Sequence, residues 1–212
     1  MNNTELLVIL RSEVSDEAEP YLWSNTLLYG YIDDAQKQFC RLGYGIEDAR
    51  SFRLNLTLTK EWYPLDPRIL KIRKAYNQTT NRSIPVVALE KMAAVGLYFS
   101  DTAGPTRALI TGMEKGQLRA VPMPSVVGVV ELWVFCLSQT MEVGGDFEID
   151  EQHVRNLLLW LKHRCYEVQD SEVYDKRKSA EYKNRFEEYC FKAKAEQDRL
   201  NRPASTVAYG GI

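Results

Sequence analysis

Two histidines, His153 and His163, are the only imidazoles in the chain, and His163 has a neighbour that could share a ligand. His163 and Glu167 are four residues apart, a spacing that puts both on one face of a helix. A protein metal site needs three or four ligands in fixed geometry. Here Lys162 and Arg164 flank the pair and no third ligand is nearby in sequence, so the residues read as a helix surface or an interface and no metal site is expected. The acidic pairs Asp33-Asp34 and Glu187-Glu188 could suggest general acid–base work. On a helix, adjacent side chains diverge by about 100°, so neither pair converges on one substrate atom. Glu181 with Arg185, Glu188 with Lys192 and Asp198 with Arg202 are ordinary i, i+4 surface pairs, worth about 0.2–0.5 kcal/mol each. No phosphate-binding glycine loop, G-x-S-x-G elbow or H-E-x-x-H helix is present. The expectation is a protein that is not an enzyme, with no catalytic residues and no cofactor.

Composition narrows the class further. The 212 residues are 45% hydrophobic and 26% charged, enough to build a core without staples. A formal net charge of -2 argues against a protein that grips DNA by neutralising phosphates, since that needs a basic excess. Cys40, Cys136, Cys165 and Cys190 are far apart with no C-x-x-C pair. They fit a reducing compartment better than a disulfide framework. No run approaches the ~18 apolar residues of a membrane span, and no export signal is visible.

The elements that must carry any function fall into three blocks. Asn3 or Thr4 can cap a first helix with Leu6, Leu7, Leu10 and Val14 on one side. The acidic run Ser15–Glu19 and Pro20 end it. Ser24 is a good cap for a second helix, with Trp23 placed as a hydrophobic staple and Leu27, Leu28, Tyr31, Ile32, Ala35, Phe39 and Leu42 as its stripe. Gly43 and Gly45 close it.

From Phe52 the period becomes two: Phe52, Leu54, Leu56 and Leu58 alternate with polar residues, which predicts a half-buried strand. Further strands are expected at Ile69–Tyr76, Arg107–Glu114, Gln117–Val121 and Gly128–Ser138, with a tight turn at Lys115-Gly116. Val129–Leu137 is apolar on both faces apart from Glu131, which suits a central or covered strand. Leu89–Val95 could be a short helix. After Gly144-Gly145 the 3.6-residue period returns. Asp150–Gln169 presents Val154, Leu157, Leu158, Leu161, Cys165 and Val168, and the last helix presents Tyr182, Phe186, Tyr189, Cys190, Ala193 and Leu200. The expected fold is α+β: a helical bundle built from residues 1–48 and 146–202, a β-rich insertion at 51–140, and an extended C-terminal tail at 203–212.

Two surfaces could meet a partner. On the Asp150–Gln169 helix, Leu159, His163 and Tyr166 lie opposite the core stripe with Trp160 at the flank. A helix with apolar residues on two faces is covered twice, either by the β-rich segment or by a neighbouring subunit. The tail cannot continue the last helix past Pro203. Its Val207, Tyr209, Gly210, Gly211 and Ile212 suit an extended peptide laid on a partner.

Several segments, taken in order, resemble the head-to-tail adaptor (connector, neck) proteins of tailed bacteriophages. The run from Trp23-Ser24 through Tyr31-Ile32-Asp33-Asp34-Ala35-Gln36 is similar to that family's opening helix. Leu118–Pro124 looks like its strand end, Tyr166–Asp170 like the link between its last helices, and Ala180–Phe186, Ala193–Glu196 and Tyr209-Gly210-Gly211 like its closing part. The resemblance implies a structural virion protein. Its copies, usually twelve, would form a ring between the portal protein and the tail or nozzle proteins, with double-stranded DNA passing through unread. It implies a place in the virion neck, reached from the host cytoplasm during assembly, with no membrane. The alternatives are another tail or head-completion component, or a soluble nucleic-acid-binding regulator.

Overall fold

Asn2, one residue earlier than expected, starts the first helix. Its Oδ1 accepts the Glu5 N–H at 2.9 Å while a Glu5 carboxylate oxygen accepts the Asn2 N–H at 3.0 Å, a capping box that satisfies two otherwise orphaned donors. The computed structural model describes residues 1–99, 102–169 and 173–200. It is an α+β structure that divides into two compact units, Met1–Tyr44 with Gln139–Ile212 as unit 1 and Gly45–Ser138 as unit 2.

Unit 1 holds helices α1 (Asn3–Glu13), α2 (Asn25–Leu42), α3 (Glu151–Val154), α4 (Leu157–Glu167) and α5 (Lys176–Leu200). In α1, Leu6, Leu7 and Leu10 are buried as their spacing requires. Ser24 caps α2, its hydroxyl accepting the Leu27 N–H at 3.3 Å, and Trp23 beside it is buried. Leu28, Ile32, Ala35 and Phe39 face the core; Leu27, at the edge of that stripe, is 39% exposed.

Three expectations for unit 1 are corrected. The Asp150–Gln169 helix is broken at Arg155-Asn156, between α3 and α4. Asp150 makes no side-chain capping bond there, because its carboxylate is engaged by Tyr44. The acidic run after α1 is not wholly solvated, since Asp16 turns inward to Arg11. The stripe of α5 buries Phe186, Cys190 and Ala193 but not Leu200, which is 81% exposed. Helices α1, α2, α4 and α5 pack on one another, and each large aliphatic or aromatic side chain they bury contributes about 1.5–3 kcal/mol.

Unit 2 is two four-stranded sheets. Its strands are β1 (Ile46–Leu56), β2 (Trp62–Pro64), β3 (Ile69–Asn77), β4 (Arg82–Ile84), β5 (Val86–Ala88), β6 (Ala108–Thr111), β7 (Gln117–Val121) and β8 (Gly128–Cys136). One sheet has the order β1-β8-β3-β4 and the other β2-β7-β6-β5. All pairs are antiparallel except β5 with β6. A single apolar cluster draws Phe52, Leu54 and Leu56 from β1 and Val130, Leu132 and Val134 from β8 together with Leu109, Leu118 and Ala120 from the second sheet. The two inner faces therefore close on each other as a sandwich.

The first strand begins at Ile46, not at Phe52. A bulge between Asp48 and Phe52 breaks its alternation, and the Asp48 carboxylate takes up the Arg50 and Ser51 N–H groups, both at 2.8 Å. It ends at Leu56, so Leu58 is outside it and exposed. Strand β8 is central, as its composition suggested. Its inner side chains are buried, while Trp133 on the other face is 41% exposed. Leu89–Val95 forms two 3-10 turns instead of an α-helix. Strands β2, β4 and β5 were not expected.

At the start of unit 2, Gly45 has φ +70°, and a Cβ there would lie 3.1 Å from the Cys136 carbonyl oxygen. Glycine alone meets both conditions without strain.

Candidate functional site

The face of α4 opposite Leu157 and Leu161 is where a partner was sought, and unit 1 itself occupies much of it. Trp160 is buried; its Nε1–H donates to Asp34 of α2 at 2.8 Å and its ring lies 5.3 Å from Phe186 of α5 and 5.0 Å from His163. The buried His163 has Nδ1 2.8 Å from the Ser179 hydroxyl of α5. That hydroxyl donates its own proton to the His163 carbonyl oxygen at 3.2 Å, so Nδ1 carries the proton it shares with Ser179. Burial pushes the His163 pKa down, with Glu167, 3.9 Å from Nε2, opposing the shift. Leu159 and Tyr166 stay half-buried, and Tyr166 stacks on Tyr182 with ring centres 5.8 Å apart. The second face of α4 is thus covered over Trp160 and His163 by α2 and α5.

What remains is an open groove of about 770 Å³ whose walls include Leu27, Gly30, Tyr31, Trp160, Arg164 and Lys183. Arg164 lies over the Tyr31 ring at 5.0 Å and donates to Glu167 at 2.9 Å. Both charges are thereby held at the rim. Among the described residues, no three His, Cys, Asp or Glu side chains gather as metal ligands would. Burial pushes the Cys165 and Cys190 thiols up to about 12, which keeps them protonated and unreactive. The tail candidates Val207, Tyr209, Gly210, Gly211 and Ile212 lie outside the described residues.

A second polar constellation has no signature in the sequence. The imidazole of His153 lies between Tyr44, whose hydroxyl is 2.9 Å from Nε2, and Tyr189, whose hydroxyl is 2.7 Å from Nδ1. Tyr44 donates its single proton to Asp150 at 3.0 Å. Its oxygen can then only accept from Nε2–H, and Nδ1 accepts from Tyr189. Phe39 packs on the imidazole at 4.8 Å. Burial lowers the His153 pKa against the pull of Asp150, and burial raises that of Tyr44. The group is neutral and fully engaged, joining α2, α3 and α5 without exposing a nucleophile.

The Trp23–Gln36 run can now be read residue by residue. Asp33 accepts from Lys37 at 2.6 Å and from the Met141 N–H at 3.2 Å. Asp34 holds Trp160, and the Gln36 side-chain oxygen accepts the Glu148 N–H at 2.9 Å. With Ser24 capping and Ile32 and Ala35 buried, this one helix fastens both the 139–148 segment and α4. A protein-family model described as SU10 adaptor protein matches residues 1–207. The chain belongs to the SU10 adaptor protein family.

That is a family of phage head-to-tail adaptors, and the match spans both units. Membership makes the chain a structural adaptor of a bacteriophage, interacting with other virion components. No curated protein matches the chain. Among the described residues no helix is long and apolar enough to cross a membrane. The family match ends at Val207, so Tyr209–Ile212 lie beyond it.

Proposed function

We propose that this SU10-family adaptor assembles as a ring, a dodecamer in the virion, between the portal vertex and the tail. The observation that carries the reading is the family match across residues 1–207. In this arrangement unit 1 is the helical frame and unit 2 a β-rich insertion. DNA passes through the lumen without sequence readout, which a chain of net charge -2 suits, since a strongly basic lumen would hold the phosphates. Copies meet head to tail through heterologous contacts that close by rotation. On unit 1 the surfaces available for this include Leu159 and Tyr166 on α4, and Phe191 and Leu200 on α5, the last two 58% and 81% exposed. Exposed apolar side chains of this size mark contact sites when they cluster. Trp160 and His163 contribute by holding α4 in place. The tail from Val207 to Ile212 reaches the portal or a neighbouring copy.

The test is to mix the purified chain with its cognate portal and image the product by electron microscopy. An added ring on the portal is expected. A portal that stays bare across salt and protein concentrations defeats the proposal.

A further inference from the structure

Strand β3 is longer than the strand beside it. It pairs with β8 from Ile69 to Asn77, but β4 reaches only Ala75–Asn77. From Ile69 to Lys74, its other edge therefore has no strand partner among the described residues. Strand β5 has the same condition: it pairs with β6 on one side and ends its sheet on the other. These two bare edges border one groove of about 600 Å³, whose walls include Leu65, Ile69, Ile72, Val86, Val87 and Val95. The charged residues among its lining are Lys71 and Lys91. Two bulges in β3, at Ile69/Lys71 and Ile72/Lys74, bring Ile69 and Ile72 to the groove while leaving Lys71, Arg73 and Lys74 exposed.

An apolar groove bordered by bare strand edges is built to take another strand, because such edges offer backbone donors and acceptors and the groove offers side-chain pockets. We infer that it receives residues 203–212 of a neighbouring copy of this chain in extended form. The segment Pro-Ala-Ser-Thr-Val-Ala-Tyr-Gly-Gly-Ile carries no charge, so seating it desolvates no ion. Pro203 ends the helical run before it. Val207 and Tyr209 are two apart and point to one face of a strand, toward the groove, while Thr206, Ala208 and Gly210 are small enough for the other face. Five such residues span about 17 Å, a length that matches one short edge. That the donor is a neighbouring copy rests on the ring reading above.

The experiment places a photo-crosslinking benzoylphenylalanine at Tyr209 in the full chain. Unlabelled and heavy-isotope chains are mixed, alone and with the portal, and crosslinked peptides are mapped by mass spectrometry. Crosslinks from position 209 to Ile69–Ile72 or Val86–Ala88, in mixed-label pairs, are expected. Val87→Lys should lower their yield about tenfold or more, as burying a charge in the groove is unfavourable. Val207→Lys, on the tail itself, should do the same while leaving circular dichroism unchanged. Crosslinks only within one label, crosslinks only elsewhere, or none in either mixture overturn the inference. Ring formation is scored separately by imaging: rings without groove crosslinks defeat this inference alone, and mixed-label groove crosslinks without rings defeat the ring reading alone.

Discussion

The Tyr44 hydroxyl stands 2.9 Å from Nε2 of His153, a residue 109 positions away in the chain, and the contact works only while the imidazole is neutral. The folded-state pKa of His153 lies below the ordinary 6.5, through burial, as does that of His163. In this range the unfolded chain binds more protons than the folded one, so stability rises with pH. The contribution is complete above 6.5 and is lost as pH falls through the depressed values. Thermal unfolding followed by circular dichroism should therefore show a lower midpoint at about pH 5.5 than at about pH 7.5. His153→Phe should flatten that dependence; an unchanged slope in the variant would exclude His153 as its source.

A second expectation concerns the link between α1 and α2. Arg11 and Asp16 form a buried ion pair. Arg11 also donates to the Trp23 carbonyl at 3.0 Å and to Asn25 at 2.7 Å, and Asp16 accepts the Leu22 N–H at 2.7 Å. Asp16→Ala strands the guanidinium and an amide, and should cost about 3–5 kcal/mol in urea unfolding. The double change Arg11→Met, Asp16→Leu should recover part of that loss. A single-variant cost below ~0.5 kcal/mol, the range of surface substitutions, would mean that the pair is not buried in solution.

Along α5 the two ends of the predicted stripe should behave differently. Phe186 is fully buried and Leu200 81% exposed. Phe186→Ala should cost about 3–5 kcal/mol, and Leu158→Ala on α4 about 2–5 kcal/mol. Leu200→Ala should stay within about 0.5 kcal/mol in the isolated chain. Equal losses at 186 and 200, measured by denaturant titration, would show that the last turns of α5 are packed.

That contrast shows where sequence patterns carry information and where they do not. Periodicity identifies which face of a helix is apolar, but it does not say how far the partner helix extends, so Leu200 was grouped with Phe186. Likewise the apolar second face of α4 was visible in Trp160 and His163, yet nothing local says that Ser179, Phe186 and Asp34 cover it. Alternation exposed β1 from Phe52 onward and failed at Asp48, because a bulge inserts residues out of phase. Strands of three residues such as β2, β4 and β5 are too short to show a period at all. The Tyr44–His153–Tyr189 group joins three distant segments, and no spacing rule reaches that far.

For the tail, deleting Thr206–Ile212 should leave the circular dichroism spectrum and the unfolding midpoint unchanged while abolishing or sharply reducing portal docking. Co-sedimentation of the truncated chain with the portal checks this. Full docking without those residues would remove the tail from the assembly contacts.

The pairing of Ile46 with Cys136 bears on the order in which the molecule takes shape. The chain leaves unit 1 after Tyr44 and returns to it at Gln139, and β1 and β8 bind each other close to both crossings. Once that ribbon has zipped, the two ends of the intervening polypeptide are already side by side. Helices α2 and α4 then meet across a connection only a few residues long in effect. By the logarithmic dependence of closure entropy on loop length, this spares unit 1 about 2–3 kcal/mol relative to bridging the unfolded span. The sandwich can zip without help from the helices, whereas the helices gain their short connection from the sandwich. A truncation or mutation that melts β8 should thus weaken the assembly of helices it does not belong to.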